Sequence, residues 1–77
     1  MTEKDKAEQI FNMHYFEIQE YGEEYGEEIL ISILSIKASI VTVETILALM
    51  INTFKWDVNH NRNIRYWKGV KLELKKM

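Results

Sequence analysis

Cations and aromatic side chains are mixed in the C-terminal third of the chain, and these are the residue types that bind nucleic acid. Residues 55–77 contain seven lysines and arginines against two acids. Cations bind phosphate groups, and aromatic rings stack on unpaired bases. The segment is therefore predicted to bind an anionic partner. The predicted contact residues are Trp56, Arg62, Arg65, Tyr66, Lys68, Lys71 and Lys75.

Residue types that carry catalysis or hold metals are sparse. The chain has no cysteine, and neither His14 nor His60 has a second histidine at metal-ligand spacing. The serines lie in an apolar stretch without a neighbouring histidine and acid, and the three glycines match no phosphate-binding loop. We therefore expect a protein that is not an enzyme and that needs no cofactor and no metal. His14 falls on an apolar stripe, where a hydrogen-bonded packing role is expected.

An acidic repeat occupies residues 21–28, where the unit Tyr-Gly-Glu-Glu occurs twice. Its spacing differs from the alternating ligands and closing glutamate of a calcium loop, so a solvated turn is predicted. Each glycine disfavours a helix interior by about 1 kcal/mol, which predicts a break between two helices. Glu23 and Glu24 are the acidic residues that we assign to the binding surface.

Charge is segregated along the chain. Residues 1–28 carry a net charge of −7, residues 29–54 are neutral and residues 55–77 carry +5, which gives the overall charge of −2. Either the basic tail folds over the acidic head, or the tail meets an anionic partner. The net negative charge disfavours strong binding to naked nucleic acid. An assembly with both basic and nucleic-acid surfaces suits this chain better.

Helical periodicity of apolar residues predicts the first two helices. The first spans about residues 4–21, with Thr2 or Asp5 as its cap and an apolar face of Ala7, Ile10, Phe11, His14, Ile18 and Tyr21. The second spans about residues 27–54 and is expected to be buried on most sides. Its predicted inward seam is Ile29, Ile33, Ile36, Ile40, Val43, Leu47, Met50 and Phe54. Small residues at Ser32, Ser35, Ala38 and Ser39 would let another helix approach closely.

The second helix is also long enough to span a bilayer, since 16 of the 23 residues 29–51 are apolar. Lys37 and Glu44 lie near its middle, and each disfavours insertion by about 2.5–3.5 kcal/mol, so a buried soluble helix is predicted. Both lie on one face. They are expected to reach the rim or a charge on another helix, or to specify a partner in an oligomer. The charged first residues predict no signal segment, and the protein is expected in the cytoplasm.

The third predicted element follows a polar loop at residues 55–63 and spans residues 64–77, with Asn61 or Asn63 as its cap. As a helix, it would turn Trp67 and Val70 inward and its cations outward. The alternation of Val70, Leu72 and Leu74 also suits a strand, so a hairpin of residues 53–58 with 64–74 is the alternative.

These elements predict one domain over residues 1–77, because 77 residues leave no room for a second. The expected fold is all-α, a small bundle of about three helices around a long buried central helix. The alternative is an α+β fold of two helices and a C-terminal hairpin. A chain of this size without disulfides is marginal alone, so a partner or a homo-oligomer is expected.

Three short segments of the chain together resemble segments of one protein family. Residues 6–15 read KAEQIFNMHY, residues 38–47 read ASIVTVETIL and residues 66–75 read YWKGVKLELK. They resemble the Lys-Ala-x-x-hydrophobic-Phe start, the Ala-Leu-Ile-Ala-Val-Asp-Glu-Ile helix and the Tyr-Trp-x-x-Val-Lys-x-Glu-hydrophobic-x-Lys ending of a family of small helical proteins common in phages and prophages of Bacteroidetes. That family often has a cysteine before the middle helix, and this chain has none.

The resemblance implies helices and a mobile-element origin, and it carries no catalytic residues. Small non-enzymatic phage proteins often antagonise host defence, with anti-CRISPR proteins as the best-known class. By this analogy the expected function is inhibition of a guide-RNA effector in the host cytoplasm. The expected partner is a host protein or ribonucleoprotein complex, with RNA contact and without a membrane. The alternatives are a self-assembling interaction protein, an oligomeric nucleotide-binding sponge and a membrane lysis factor.

Overall fold

Three α-helices account for most of the structure, a computed structural model that describes residues 1–22, 28–56 and 61–77. The helices are α1 (Glu3–Gly22), α2 (Glu28–Ala48) and α3 (Arg62–Lys76), and a π-helical turn, Leu49–Thr53, follows α2 directly. The predicted all-α fold is confirmed. The alternative C-terminal hairpin is wrong, because residues 62–76 are helical and the described residues contain no strand.

Helix α1 begins at a reciprocal cap made by Thr2 and Asp5. The Asp5 N–H donates to the Thr2 hydroxyl oxygen at 3.1 Å, and the Thr2 N–H donates to a carboxylate oxygen of Asp5 at 3.4 Å. This arrangement satisfies N–H groups that the first turn of a helix leaves without partners. The cap predicted at Thr2 or Asp5 therefore uses both residues.

Helix α2 is buried along a single line of residues. The prediction was burial on most sides, so the buried part of its surface is smaller than expected. Among the side chains of α2 that the structure describes, the buried ones recur every four positions and are Ile31, Ser35, Ser39, Val43 and Leu47. The side chain of Ile29, also in the predicted seam, lies outside the described set. Ile33 and Phe54 of the predicted seam are 45% and 59% exposed, so the seam is wrong for these two residues. The two neighbouring helices cover only part of the circumference of α2.

Hydroxyl groups on α2 bond to the helix itself. Four side chains each donate to the carbonyl oxygen four residues earlier, at 2.6 to 3.0 Å: Ser35, Ser39, Thr42 and Thr45. Because their donors are satisfied locally, Ser35 and Ser39 are fully buried without a partner on another helix. The small residues predicted to allow close helix approach at these two positions are therefore in the interior.

The end of α2 widens into a π-helical turn. The Phe54 N–H donates to the Leu49 carbonyl oxygen and the Trp56 N–H to the Met50 carbonyl oxygen, both at 3.0 Å. Lys55 between them has a φ of 53°, in the left-handed region. A residue with a Cβ atom adopts that region at a cost of about 1–2 kcal/mol, and a right-handed helix does not continue through it. The helical path ends here.

Helix α3 runs in the same direction as α1 and lies against it. The Tyr66 hydroxyl donates to the Met1 carbonyl oxygen at 3.2 Å. One turn further, a Cβ atom on Gly69 would lie 2.8 Å from Cγ of Glu3. The absence of a side chain at Gly69 thus lets the start of α1 approach α3 closely.

The hydrophobic core joins the first half of α1, the second half of α2 and the whole of α3. Its buried members are Ala7, Ile10, Val43, Leu47, Ile64, Val70 and Leu74. Partly buried residues packed around them are Phe11, Ile40, Met50, Ile51, Tyr66 and Trp67. The expected inward position of Trp67 is confirmed. The core therefore lies at one end of the molecule, where three helices meet.

The molecule is elongated, with extents of 45 × 22 × 16 Å and a radius of gyration of 13.9 Å. A compact domain of this length would have a radius of gyration of about 11.5 Å. Helix α2 and its π-helical turn rise about 39 Å, whereas the 15 residues of α3 rise about 22 Å. The α1–α2 pair therefore projects beyond the end of α3.

Replacing Asn61 by alanine is expected to destabilise the protein by about 1 kcal/mol. The Asn61 side-chain oxygen accepts from the N–H groups of Asn63 (2.8 Å) and Ile64 (3.3 Å) at the start of α3. Urea unfolding followed by circular dichroism measures the loss. Asn63→Ala is the matched control and should change stability by less than about 0.5 kcal/mol. Equal losses in the two variants would contradict this capping role.

Candidate basic docking face

The rotation of α3 is fixed by a line of buried apolar residues. Ile64, Val70 and Leu74 are fully buried, and Trp67 is half-buried between them. Asn61 fixes the start of the helix through its cap. Because the inward side is determined by these anchors, the side of α3 that faces solvent is determined as well.

Four exposed cations of α3, Arg62, Arg65, Lys68 and Lys75, are here called the basic face, and they spread over an arc of about 140° around the helix. From Arg62 to Lys75 the helix rises about 20 Å. Lys76 is exposed as well, with its Nζ atom 3.2 Å from Oε1 of Glu73, and Arg65 also has a partner within the chain. The predicted solvent-facing positions of Arg65, Lys68 and Lys75 are thus as the sequence indicated.

Lys71 has a different environment from the one predicted. Its Nζ atom lies 3.1 Å from Oε1 of Glu44 on α2, and its side chain is 29% exposed. The predicted solvent-facing position is therefore wrong. A helix turns by about 100° per residue, which carries Lys71 from the outward side toward α2. This ion pair links α2 to α3.

Tyr66 is also held by the fold. Its hydroxyl lies 3.2 Å from the carbonyl oxygen of Met1 and 3.4 Å from that of Thr2. Its ring meets the ring of Trp67 edge-on, with centroids 5.6 Å apart. These contacts secure the start of α1 against α3. Tyr66 is half-buried among these contacts.

Trp56 belongs to an exposed aromatic pair that the sequence reasoning missed. Its ring stacks on that of Phe54 with centroids 5.5 Å apart and an interplanar angle of 28°. Phe54 is 59% exposed and Trp56 is 36% exposed. Spacing alone predicts an inward position for Phe54. The π-helical turn changes that spacing and directs the ring outward.

The acidic side of the predicted surface is described only in part. Glu23 and Glu24, and the turn predicted around them, lie outside the described residues. On α1, the acids Glu3, Asp5 and Glu8 are exposed. An open hollow of about 300 Å³ lies where α1 meets the end of α3, lined by Lys4, Ala7, Glu8, Glu73, Lys76 and Met77. Its charged side chains have both signs, so it favours no single kind of ion.

His14 joins α1 to α2. Its Nε2 atom lies 2.9 Å from the hydroxyl oxygen of Thr42, and that hydroxyl donates to the carbonyl oxygen of Ala38 at 3.0 Å. The Thr42 oxygen therefore accepts from His14, which places the proton on Nε2. Nδ1 of His14 lies 3.8 Å from Glu17. The hydrogen-bonded packing role expected for His14 agrees with this geometry.

Neither a metal site nor a membrane anchor is defined by the described part of the chain. Within residues 1–22, 28–56 and 61–77, no group of three histidines or acids could hold a metal ion. One helical stretch, Leu30–Thr53, is long and apolar enough to cross a membrane. The core helix of a soluble protein passes the same test, so this stretch alone does not assign a location.

The fold and the basic face together define a small all-α protein with a cationic surface on its last helix. Comparison with models of protein families, with curated proteins and with solved structures found no match. The evidence for function is therefore the sequence of this chain and the geometry of its described residues.

Proposed function

We propose that this protein is a non-enzymatic binding protein of the phage or prophage type that antagonises a host defence system. In its most specific form, it is an anti-CRISPR-like inhibitor that docks on a guide-RNA effector in the host cytoplasm. The observation that carries the proposal is the basic face: four exposed cations on the solvent side of a capped, anchored helix. The resemblance of three segments to a phage protein family supports the biological setting.

The basic face suits the phosphates of a folded RNA better than it suits a single small anion. Its four cations are spread over about 20 Å, so they contact several phosphates along a backbone. The Arg62 guanidinium can donate two parallel hydrogen bonds to one phosphate. The helix is already held by its cap and its buried residues, so little backbone conformational freedom is lost on binding.

Charge of both signs favours a nucleoprotein as the partner over naked RNA. The chain has a net charge of −2, and α1 presents exposed acids. Naked RNA would repel the acidic surface, whereas a nucleoprotein offers basic protein surface beside its RNA. The exposed pair of Phe54 and Trp56 adds a surface on which an unpaired base can stack, at about 1–3 kcal/mol per base.

Reversing two charges on the basic face is expected to abolish binding. The variant Arg65→Glu with Lys68→Glu changes the net charge by −4 and places anions opposite phosphates. The tagged protein is incubated with a purified guide-RNA effector complex, with the same effector free of RNA, and with the guide RNA alone. The wild type should bind the loaded complex and inhibit its cleavage of target DNA, and the variant should lose at least tenfold in both.

The matched control reverses two cations on α1, Lys4→Glu with Lys6→Glu, with the same change in net charge. It should bind like the wild type, because neither residue lies on α3. Circular dichroism shows that all variants keep their helices. If both double variants lost the same binding affinity, net charge alone would explain the loss, and this would contradict a docking face on α3. Wild-type binding by the α3 variant would exclude the face from the interaction.

A further inference from the structure

Helix α2 presents an uncovered apolar surface, here called the outer face and made of Leu30, Ile33, Leu34 and Val41. These side chains are 46%, 45%, 44% and 61% exposed. Only 28% of the most apolar part of α2 is buried inside the chain. Isolated exposed apolar residues are common on proteins, but a row along one helix marks an interaction surface.

The described helices do not cover this surface. Helix α1 contacts α2 on the side of Thr42, through His14. Helix α3 contacts α2 at Glu44, through Lys71, and is too short to reach the first turns of α2. The outer face lies between these two contacts and extends beyond α3. The radius of gyration, larger than that of a compact domain, has the same origin.

Two opposite charges lie on the outer face. Lys37 and Glu44 are exposed and seven residues apart, which places them on the same side of α2 about 10 Å apart along its axis. Glu44 uses its Oε1 atom for Lys71, and a carboxylate has a second oxygen that can accept further donors. Among the described residues, no acid forms an ion pair with Lys37.

We propose that the outer face of α2 is the interface of an antiparallel, two-fold symmetric dimer of this chain. A two-fold axis midway between Lys37 and Glu44 brings Lys37 of each copy to the height of Glu44 of the other. Val41 then packs next to the axis against Val41 of the second copy. Leu30, Ile33 and Leu34 of each copy then lie at the height of residues 47–51 of the other, where Ala48 and Leu49 are exposed. The charges and these apolar residues are thus complementary across the axis, as a two-fold interface requires.

The apolar residues would supply most of the affinity, and the charges would set the orientation. Exposed ion pairs contribute little to stability, but like charges brought together are strongly unfavourable and select one alignment. A parallel arrangement would place Lys37 near Lys37 and Glu44 near Glu44. A dimer would also double the number of basic faces per particle. The inference does not depend on the proposed function, since the basic face lies on α3.

Sedimentation velocity over a concentration range tests the dimer. The wild type should change from monomer to dimer as the concentration rises. Lys37→Glu should raise the dimer dissociation constant at least tenfold, because the introduced carboxylate would face Glu44 of the second copy on both sides of the axis. Glu44→Lys with Lys71→Glu keeps the ion pair between α2 and α3 in reversed form, and it should weaken the homodimer similarly. An equimolar mixture of these two variants should restore the dimer, because every contact across the axis is again opposite in charge.

Lys4→Glu is the control for net charge and should dimerise like the wild type. A wild-type chain that stays monomeric at every concentration would overturn the proposal. So would a mixture of the two charge variants that remains monomeric while both keep wild-type circular dichroism. Flotation with phosphatidylcholine vesicles gives the third arm: wild-type protein that floats with the vesicles would show that lipid, not a second copy, covers the outer face.

Discussion

Replacing Leu74 by alanine is expected to destabilise the protein by about 3 kcal/mol. Leu74 is fully buried in the core that joins the three helices. The change removes its side chain from contact with both partner helices and leaves a cavity that the rigid core fills only in part. A chain of 77 residues has a total stability of about 4–12 kcal/mol, so the loss is a large share. The midpoint of thermal unfolding should fall by about 12–24 °C.

Leu72→Ala is the matched control, since it removes the same atoms from the same helix two residues away. Leu72 is 58% exposed, so its loss should change stability by less than about 0.5 kcal/mol. Both variants are unfolded at one protein concentration, because self-association would add a concentration-dependent term. In a strand the two leucines would share a face and lose similar amounts. Equal losses would therefore contradict the helical account of residues 62–76.

Replacing Ser39 by leucine is expected to cost about 2–3 kcal/mol. Ser39 is fully buried on the inward line of α2, one turn from Ser35 and from Val43. Its hydroxyl donates to the carbonyl oxygen of Ser35 at 2.6 Å and takes up little room. A leucine would force the neighbouring helix away and weaken the core beyond it. Denaturation in urea, with the slope compared with that of the wild type, measures the change.

Ser39→Ala separates the effect of size from the effect of the hydroxyl. The hydroxyl bonds only to its own helix, so its removal should change stability by less than about 1 kcal/mol. A leucine variant as stable as the alanine variant would show that the helices near Ser39 leave a gap wide enough for a leucine. The close approach of helices at Ser35 and Ser39 would then be wrong.

Helix number and helix ends could be predicted from local signals. Periodicity places α1 and α3 within about two residues of their bounds, and the cap at Asn61 was one of two predicted positions. These features depend on neighbours within one or two turns, which the sequence shows directly. The polar partners of Thr2 and Asn61 are likewise local in sequence.

The burial of α2 could not be predicted with the same success. Its residues are apolar on nearly every side, and the hydroxyl groups among them bond to the backbone of the same helix. Periodicity then offers several seams of similar quality, and the choice among them depends on where α1 and α3 pack. The actual line through Ile31, Ser35 and Ser39 includes two polar residues, which a hydrophobic pattern ranks low.

Contacts between residues distant in sequence also limited the prediction of which side chains on α3 face solvent. The pairing of Lys71 with Glu44 joins residues on different helices, and the bonds from Tyr66 reach the first residues of the chain. No local pattern shows that these two side chains contact distant parts of the chain. The four residues of the basic face were all in the predicted contact set. In the structure Lys71 and Tyr66 contact other parts of the chain, and the Phe54 ring stacks on that of Trp56.

The salt dependence of binding to a purified guide-RNA effector complex is the most direct measurement of the central claim, that the basic face contacts RNA phosphates. If four cations each displace a counterion from single-stranded RNA, the logarithm of the association constant should fall with the logarithm of salt concentration at a slope of about −3. Arg65→Glu with Lys68→Glu should reduce that slope by about 1.4 or more. A slope near zero, or the same slope for the wild type and this variant, would contradict the claim.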